Sequence, residues 1–219
     1  MRPEIKFCGM TRVEDVTAAV AIGANYIGVI FAGGPRHVSV DWAHELVSHV
    51  PRGVKRVGVF GPRESTSGGI GDVARSVGLD VVQLHGDPDE AAIEDLRRTF
   101  DGVVWAAVRV AGTSVPASAA ALFRAADAVV IDAYSATSLG GTGLALPWAE
   151  LADGIAGARG TGRLVLAGGL RPETVASAVA ALRPDVVDVS SGVESAPGIK
   201  DHGKLRSFRD AIHGGGDRP

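Results

Sequence analysis

The 219-residue sequence has a single cysteine, Cys8, and only 5% aromatic residues. One cysteine excludes an intrachain disulfide and a metal site built from several thiolates, and it fits a reducing, cytoplasmic setting. No apolar run approaches the roughly 18 residues that a membrane-spanning helix needs. The opening residues, MRPEIKFCGM, lack the apolar core of a secretory signal. We therefore expect a cytoplasmic protein with no membrane partner.

Neither sign of charge is in large excess. Lys and Arg number 22 against 25 Asp and Glu, which gives a net charge of -3. This balance provides no electrostatic basis for binding nucleic acid. Hydrophobic residues make up 46% of the chain, enough for a large core. No linker or shift in composition divides the sequence, so we predict one domain over residues 1–213 and a disordered tail at 214–219.

Short apolar runs rich in valine and isoleucine recur along the chain. They are continuous rather than alternating, which is typical of strands buried on both faces of a parallel sheet. The predicted strands are residues 4–8, 25–31, 54–60, 80–85, 103–108, 128–132, 163–168 and 185–190.

Segments with helical spacing lie between these strands. One would place Trp42, Leu46 and Val47 on its inner face, and another would begin at Pro172 and Glu173. Strand and helix alternate about every 20 to 30 residues, which predicts an α/β fold and specifically a single-domain (β/α)₈ TIM barrel. A doubly wound open sheet is the structural alternative.

Polar residues follow the predicted strands, and the carboxyl ends of barrel strands meet at one catalytic rim. That rim would carry a thiol, carboxylates, an imidazole and cations. The candidates, in chain order, are Cys8, Arg36, His85, Arg109, Asp132 and Asp188.

Two turns of small residues follow the last two predicted strands. Glycines expose backbone N–H groups, and a helix N-terminus adds a partial positive charge. Many barrels hold a phosphate with the loops after strands 7 and 8. Either turn alone would be explained by tight chain reversal, but two on adjacent strands predict a phosphate site. Its candidate residues are Gly168, Gly169, Ser190, Ser191 and Gly192.

Cys8 has two interpretations. Free cysteine is often a small buried hydrophobe, whereas a reactive thiolate needs a pKa below the usual value of about 8.5. Strand alternation places Lys6 on the same face as Cys8, where a cation would lower the thiol pKa. Asp132 lies across the predicted rim from Cys8, which is compatible with work on two faces of one substrate. Spacing alone does not say which group is the acid.

Arg36 also has two interpretations, a bidentate grip on a carboxylate or a solvated surface charge. His85 is the histidine that we place on the rim, as a substrate contact. The sequence shows no histidine–carboxylate arrangement that resembles a metal site.

Five motifs together resemble the phosphoribosylanthranilate isomerase family of tryptophan biosynthesis. They are KFCGMTR, VQLHG, GGTG followed by Trp148, LAGGLRPETV and DVSSGVESAPGIKD, in the family's order from residue 6 to residue 201. The resemblance implies a (β/α)₈ barrel without a cofactor. It also implies an Amadori rearrangement of N-(5-phosphoribosyl)anthranilate to 1-(2-carboxyphenylamino)-1-deoxyribulose 5-phosphate. The implied partner is a small phosphosugar substrate, and the sequence leaves open a monomer or a homodimer.

The resemblance also implies roles for individual residues. It makes Cys8 the general base and Asp132 the general acid. It places Arg36 on the anthranilate carboxylate and Asp188 near the sugar hydroxyls. Its phosphate loops fall on Gly168, Gly169, Ser190 and Ser191. For Asp132 to hold a proton at working pH, its pKa must be raised by burial or by a negative neighbour.

Two alternatives stay open at this point. The related phosphoribosyl isomerase of histidine biosynthesis, or a dual-substrate enzyme, is expected to carry an aspartate where Cys8 stands. A catalytically silent phosphosugar-binding barrel would keep the glycine turns without needing the thiol or the acid, and both are present.

Overall fold

The computed structural model describes residues 2–61, 69–134 and 148–214. Within them, parallel strands form a closed barrel in which each strand pairs with its neighbours in sequence and β8 pairs with β1. The barrel strands are β1 Glu4–Phe7, β2 Tyr26–Ile30, β3 Lys55–Phe60, β4 Val81–Leu84, β5 Val103–Ala111, β6 Ala128–Tyr134, β7 Leu164–Ala167 and β8 Val186–Val189. The predicted (β/α)₈ barrel is confirmed.

Helices alternate with these strands around the barrel. They are α1 Val13–Ala21, α2 Val40–Ser48, α3 Gly69–Val77, α4 Glu90–Arg97, α5 Ala119–Ala125, α6 Trp148–Arg159, α7 Val175–Leu182 and α8 His202–His213. After β8 the chain forms a short 3₁₀ turn, Ser191–Val193, and a small hairpin of β9 Glu194–Ala196 and β10 Ile199–Lys200.

The strands β5 and β6 run past their predicted ends. Their register continues through the pairs Arg109 with Asp132, Val110 with Ala133 and Ala111 with Tyr134. Asp132 therefore lies inside a strand rather than at its end. The extra residues extend because each strand supplies the other with hydrogen-bonding partners.

Alternation along the strands separates two apolar layers. One fills the barrel interior, and a larger one lies between strands and helices. Val130 and Val186 belong to the interior layer. Asp132 and Asp188, two residues further along the same strands, point to the same side, toward the carboxyl end of the barrel. The apolar interior thus forms the floor on which a polar site is built.

One prediction about a helix face is wrong, and one helix begins slightly later than predicted. Trp42 is 42% exposed, whereas Leu46 and Val47 are buried. Its indole Nε1 donates to the carbonyl of Thr11 at 2.9 Å, which holds the ring over the loop before α1. After β7, residues 172–174 form a turn in which the Val175 N–H already donates to the Arg171 carbonyl at 2.9 Å, and regular helix begins at Val175.

The last helix ends at His213. Apart from Gly214, the predicted tail lies outside the described residues, and so does the GGTG motif at 140–143. No helix in the described ranges has the length and apolar character needed to cross a membrane.

Candidate active site

A cavity of about 360 Å³ opens at the carboxyl end of the barrel. Its lining includes most of the residues that the sequence predicted for the rim and the phosphate turns: Cys8, Arg36, His85, Asp132, Gly168, Gly169, Asp188, Ser190, Ser191 and Gly192. Arg109 is the exception, since its Nη2 instead lies 2.7 Å from Asp87 Oδ2. A larger groove of about 620 Å³ lies between α3 and α4, but His85 is its only contact with that set. The smaller cavity is the candidate active site because the chemistry converges there.

Cys8 directly follows β1, and its backbone N–H donates to the carbonyl of Val189 at 2.9 Å. The side chain is buried. Burial raises the pKa of the Cys8 thiol; Lys6 opposes this, and Asp188 adds to it. The expectation that a neighbouring cation lowers the thiol pKa is therefore right for the contribution of Lys6 and wrong for the net result. Desolvation of the thiolate outweighs the attraction of one ammonium group.

Lys6 lies beneath the cavity and is fully buried. Its Nζ donates to Asp188 Oδ2 at 2.7 Å and to Gln83 Oε1 at 2.9 Å. Burial lowers the pKa of Lys6, but Asp188 and Cys8 together raise it above its usual value. The other carboxylate oxygen, Asp188 Oδ1, is buried and has no hydrogen-bond partner among the described residues. That oxygen is available to a ligand hydroxyl in the cavity.

Asp132 faces the cavity from β6. Its Oδ2 lies 3.8 Å from His85 Nε2, too far for a hydrogen bond but close enough for charge to matter. Burial is the largest cause that raises the pKa of Asp132; His85 opposes it, and Asp188 adds to it. The direction is the one that the sequence required for an acid that keeps its proton.

His85 follows β4, and its backbone N–H donates to the carbonyl of Phe60 at 2.7 Å. Its Nδ1 is buried and has no hydrogen-bond partner within the described part of the chain. The structure therefore places an imidazole edge beside the candidate acid, as expected for a rim residue.

Arg36 comes from the loop after β2 and is not a solvated surface charge. Its Nε and Nη2 donate to the two carboxylate oxygens of Glu194 at 2.8 and 2.7 Å. The side chain crosses Gly9, where a Cβ would lie 2.7 Å from Arg36 Cδ. Gly9 has a φ of 70°, so both its conformation and its small size are needed.

The turns after β7 and β8 contact each other. Gly168 and Gly169 adopt φ values of 88° and 65°. A Cβ on Gly192 would lie 1.8 Å from the carbonyl oxygen of Leu170, so only glycine fits there. Ser190 Oγ is buried without a hydrogen-bond partner in the described residues.

The helix after β7 begins later in the chain than the sequence predicted. The helix α7 begins only at Val175, so its N-terminus does not directly follow Gly168 and Gly169. A short 3₁₀ turn begins at Ser191, within the turn that follows β8. Backbone N–H groups, rather than the charge of a long helix, are therefore the candidate donors to an anion on this side.

Sequence reasoning anticipated some of the residues around the cavity and missed others. Strand alternation predicted that Lys6 lies on the face of Cys8, whereas the contact of Lys6 with Gln83 was not predicted. Glu194 and Lys200 stand in the motif DVSSGVESAPGIKD, but nothing local shows that they meet Arg36. Among the residues that the structure describes, no group of three or more His, Cys, Asp and Glu side chains is arranged to hold a metal ion.

Comparison with known proteins gives one consistent result. The sequence model of the family described as N-(5′phosphoribosyl)anthranilate (PRA) isomerase matches residues 5–211. A similar protein named N-(5′-phosphoribosyl)anthranilate isomerase, from Pseudomonas fluorescens (strain Pf0-1), is 40% identical over 94% of this chain and 97% of its own. One of the same name from Geobacter sp. (strain M21) is 42% identical over 94% of this chain and 95% of its own.

Solved structures agree with these relatives. The crystal structure of phosphoribosyl anthranilate isomerase from Thermotoga maritima is similar with a TM-score of 0.83 and 32% identity, covering 97% of this chain and 99% of that one. A phosphoribosyl anthranilate isomerase in complex with reduced 1-(o-carboxyphenylamino)-1-deoxyribulose 5-phosphate is similar with a TM-score of 0.80, 32% identity and the same coverage.

Proposed function

The chain belongs to the N-(5′-phosphoribosyl)anthranilate isomerase family of enzymes, and from that premise we propose its reaction and mechanism. It converts N-(5-phosphoribosyl)anthranilate into 1-(2-carboxyphenylamino)-1-deoxyribulose 5-phosphate in tryptophan biosynthesis. The observation that carries the proposal is the cavity that Cys8 and Asp132 line together with the turns after β7 and β8. A turnover assay with freshly made phosphoribosylanthranilate, followed by loss of its fluorescence, tests the activity.

The proposed mechanism begins with the acid. Asp132, whose pKa is raised chiefly by burial, donates its proton to the furanose ring oxygen. The ring opens to a Schiff base, which makes the hydrogen on C2′ acidic. The Cys8 thiolate takes that proton and leaves an enolamine. The enolamine gains a proton on C1′ and loses the proton of its C2′ hydroxyl, which gives the ketone.

The cations around Cys8 support a thiolate in this mechanism. Lys6 and Lys200 both favour the charged sulfur, whereas burial and Asp188 oppose it. Asp188 Oδ1, unpartnered among the described residues, is suited to accept a hydrogen bond from a sugar hydroxyl. A hydrogen bond from the substrate would partly offset the negative charge of Asp188. It would therefore weaken the tendency of Asp188 to raise the pKa of the Cys8 thiol.

The turns after β7 and β8 are the proposed phosphate site. Gly168, Gly169 and Gly192 present backbone without side chains, and Ser190 Oγ has no partner within the described ranges. Backbone N–H groups and a hydroxyl are suitable donors for phosphate oxygens. In the proposed pose the phosphate lies at these turns and the anthranilate carboxylate lies at Arg36, whose stem passes close to Ser190.

We expect Arg36→Ala to raise KM for phosphoribosylanthranilate by about 10- to 100-fold, with a smaller change in kcat, because a charge-assisted hydrogen bond contributes about 1.5–3 kcal/mol. Steady-state kinetics on the purified variant measure this. Arg206→Ala removes an exposed cation from α8 and serves as the matched control. Unchanged KM and kcat in Arg36→Ala would remove Arg36 from the carboxylate site.

Gly28 lies on β2 behind the candidate base. A Cβ there would lie 2.8 Å from Cys8 Sγ and 3.2 Å from Lys6 Cε. We expect Gly28→Ala to displace the sulfur and lower kcat by about 100-fold, since misplacing a catalytic group by about 1 Å costs that much.

The control for this prediction is Gly157→Ala in α6, where an added Cβ meets nothing within 4 Å. Kinetics and thermal melting are measured on both variants. Wild-type kcat in a folded Gly28→Ala enzyme would show that the position of the sulfur does not limit turnover.

A further inference from the structure

We propose that Glu194 is a positioning residue for Arg36: it fixes the guanidinium so that one donor edge is turned toward the cavity to receive the substrate carboxylate. This inference rests on the proposed function, since it names the group that makes the Arg36 site selective. Three properties of the Arg36–Glu194 pair support it: its geometry, its anchoring and its charge.

The geometry of the pair determines which edge of Arg36 is left for a ligand. A guanidinium is planar and presents two bidentate edges, one formed by Nε and one Nη, the other by the two Nη atoms. Glu194 occupies the first edge with bonds of 2.8 and 2.7 Å to Nε and Nη2. The Nη1–Nη2 edge therefore faces away from Glu194, and Arg36 lines the cavity. A substrate carboxylate binds end-on at that edge.

Glu194 is itself held from both its side chain and its backbone. Its side chain is 5% exposed, and Oε1 also accepts from Lys200 Nζ at 2.8 Å. Its carbonyl oxygen accepts from Lys204 Nζ at 2.8 Å. In the hairpin that follows β8, Glu194 pairs in register with Lys200. Because Glu194 is held by these other contacts, it determines the position of the Arg36 guanidinium.

The stem of Arg36 is restrained at its other end by Gly9. A Cβ on Gly9 would lie 2.7 Å from Arg36 Cδ and 2.9 Å from Ser190 Oγ. The side chain therefore passes close over the residue after Cys8 before it reaches Glu194. These two contacts, at the stem and at the guanidinium, define its direction across the cavity.

The charge of the cluster explains why a second cation is present. Arg36 paired with Glu194 alone would be neutral and would attract a substrate carboxylate weakly. Lys200 has a side chain with 0% exposure and shares the same carboxylate. Two cations on one carboxylate leave a net positive charge, and Arg36, the member that lines the cavity, presents that charge to the ligand. Lys200 Nζ also donates to the carbonyl of Ser190 at 3.2 Å, in the proposed phosphate turn.

The test uses Glu194→Gln and Glu194→Asp in the full-length enzyme. Glutamine removes the charge, while aspartate keeps the charge that Lys200 requires but withdraws it by one methylene group from Arg36. We expect both to raise KM for phosphoribosylanthranilate by about 10- to 100-fold with a smaller effect on kcat. Glu4→Gln is the matched control, because Glu4 also binds an arginine, Arg163, but at the amino end of β1.

A binding measurement separates positioning from a general structural role. By calorimetry, the variants should lose affinity for reduced 1-(o-carboxyphenylamino)-1-deoxyribulose 5-phosphate by the same factor as KM rises. Affinity for ribose 5-phosphate, which has no anthranilate carboxylate, should be unchanged in Glu194→Asp, because the retained charge still holds Lys200 beside Ser190. In an Arg36→Ala background, Glu194→Gln should have no further effect on kcat/KM, because the two residues would act as one unit.

Two results would overturn the inference: a folded Glu194→Asp enzyme with wild-type KM, or an equal loss of affinity for both ligands. If Glu194→Gln does not fold, as shown by thermal melting, Glu194→Asp decides alone. Failure of the proposed function is distinguishable, since the wild-type enzyme would then not turn over phosphoribosylanthranilate at all.

Discussion

We expect Cys8→Ser to lower kcat by about 10²–10⁴-fold, the usual contribution of a general base, which is about 3–5 kcal/mol of barrier. The physical reason is that a serine hydroxyl is far less acidic than a thiol and gives almost no anion to remove the C2′ proton. The site of Sγ is tightly enclosed, since a Cβ on Gly28 would lie 2.8 Å from it. Serine fits there without displacing its neighbours, because oxygen is smaller than sulfur. Affinity for ribose 5-phosphate should therefore stay at the wild-type value.

The single cysteine allows a second measurement on the same residue. A thiol-alkylating reagent labels only Cys8, because the chain has 1 cysteine. Bound substrate should slow labelling, and labelled enzyme should be inactive. The Cys8→Ser variant, which takes up no label, is the control. Full turnover in that variant would remove the thiol from the mechanism.

The second large effect is expected for Asp132→Asn, which should lower kcat by about 10²–10⁴-fold because the amide has no proton to donate to the ring oxygen. Asparagine has nearly the same shape, so phosphosugar affinity and melting temperature should change little. Asp101→Asn, at an exposed position before β5, controls for loss of one carboxylate. A variant with wild-type kcat would show that another group protonates the ring.

The pH dependence of kcat/KM, compared between the wild-type enzyme and Asp132→Asn, gives an independent test of Asp132 as the acid. The thiolate fraction of Cys8 rises with pH, while the protonated fraction of Asp132 falls as pH rises through its folded-state pKa. Wild-type kcat/KM should therefore pass through a maximum. Burial raises the pKa of Asp132, which extends the acid form to higher pH. The residual activity of Asp132→Asn should only rise with pH, because its acid no longer titrates, and a retained maximum would contradict the assignment.

The barrel was predictable from sequence because its strands are encoded locally. Runs of valine and isoleucine without alternation indicate strands covered on both faces, and most predicted limits agree with the structure to within one residue. The ends of β5 and β6 were not predictable, since they depend on pairing between the two strands. Trp42 was also misplaced, because its bond to the Thr11 carbonyl is a contact between distant segments.

The rim was predictable for a different reason. Once a (β/α)₈ barrel is inferred, every residue after a strand is assigned to the same face, so Cys8 and Asp132 come together without any knowledge of distances. The net pKa of Cys8 was not predictable, because it is a balance of burial against several charges. The pairing of Arg36 with Glu194 was likewise hidden, since the two are brought together only by closure of the barrel.

The contact between Gly192 and the carbonyl of Leu170 has a consequence for protein engineering. The turns after β7 and β8 pack so closely that they must be transferred together. Grafting one of them into another scaffold without the other would leave a clash or a gap. Attempts to retarget this enzyme toward other sugars should exchange both turns together, keep glycine at the junction, and reserve diversification for the opposite side of the mouth.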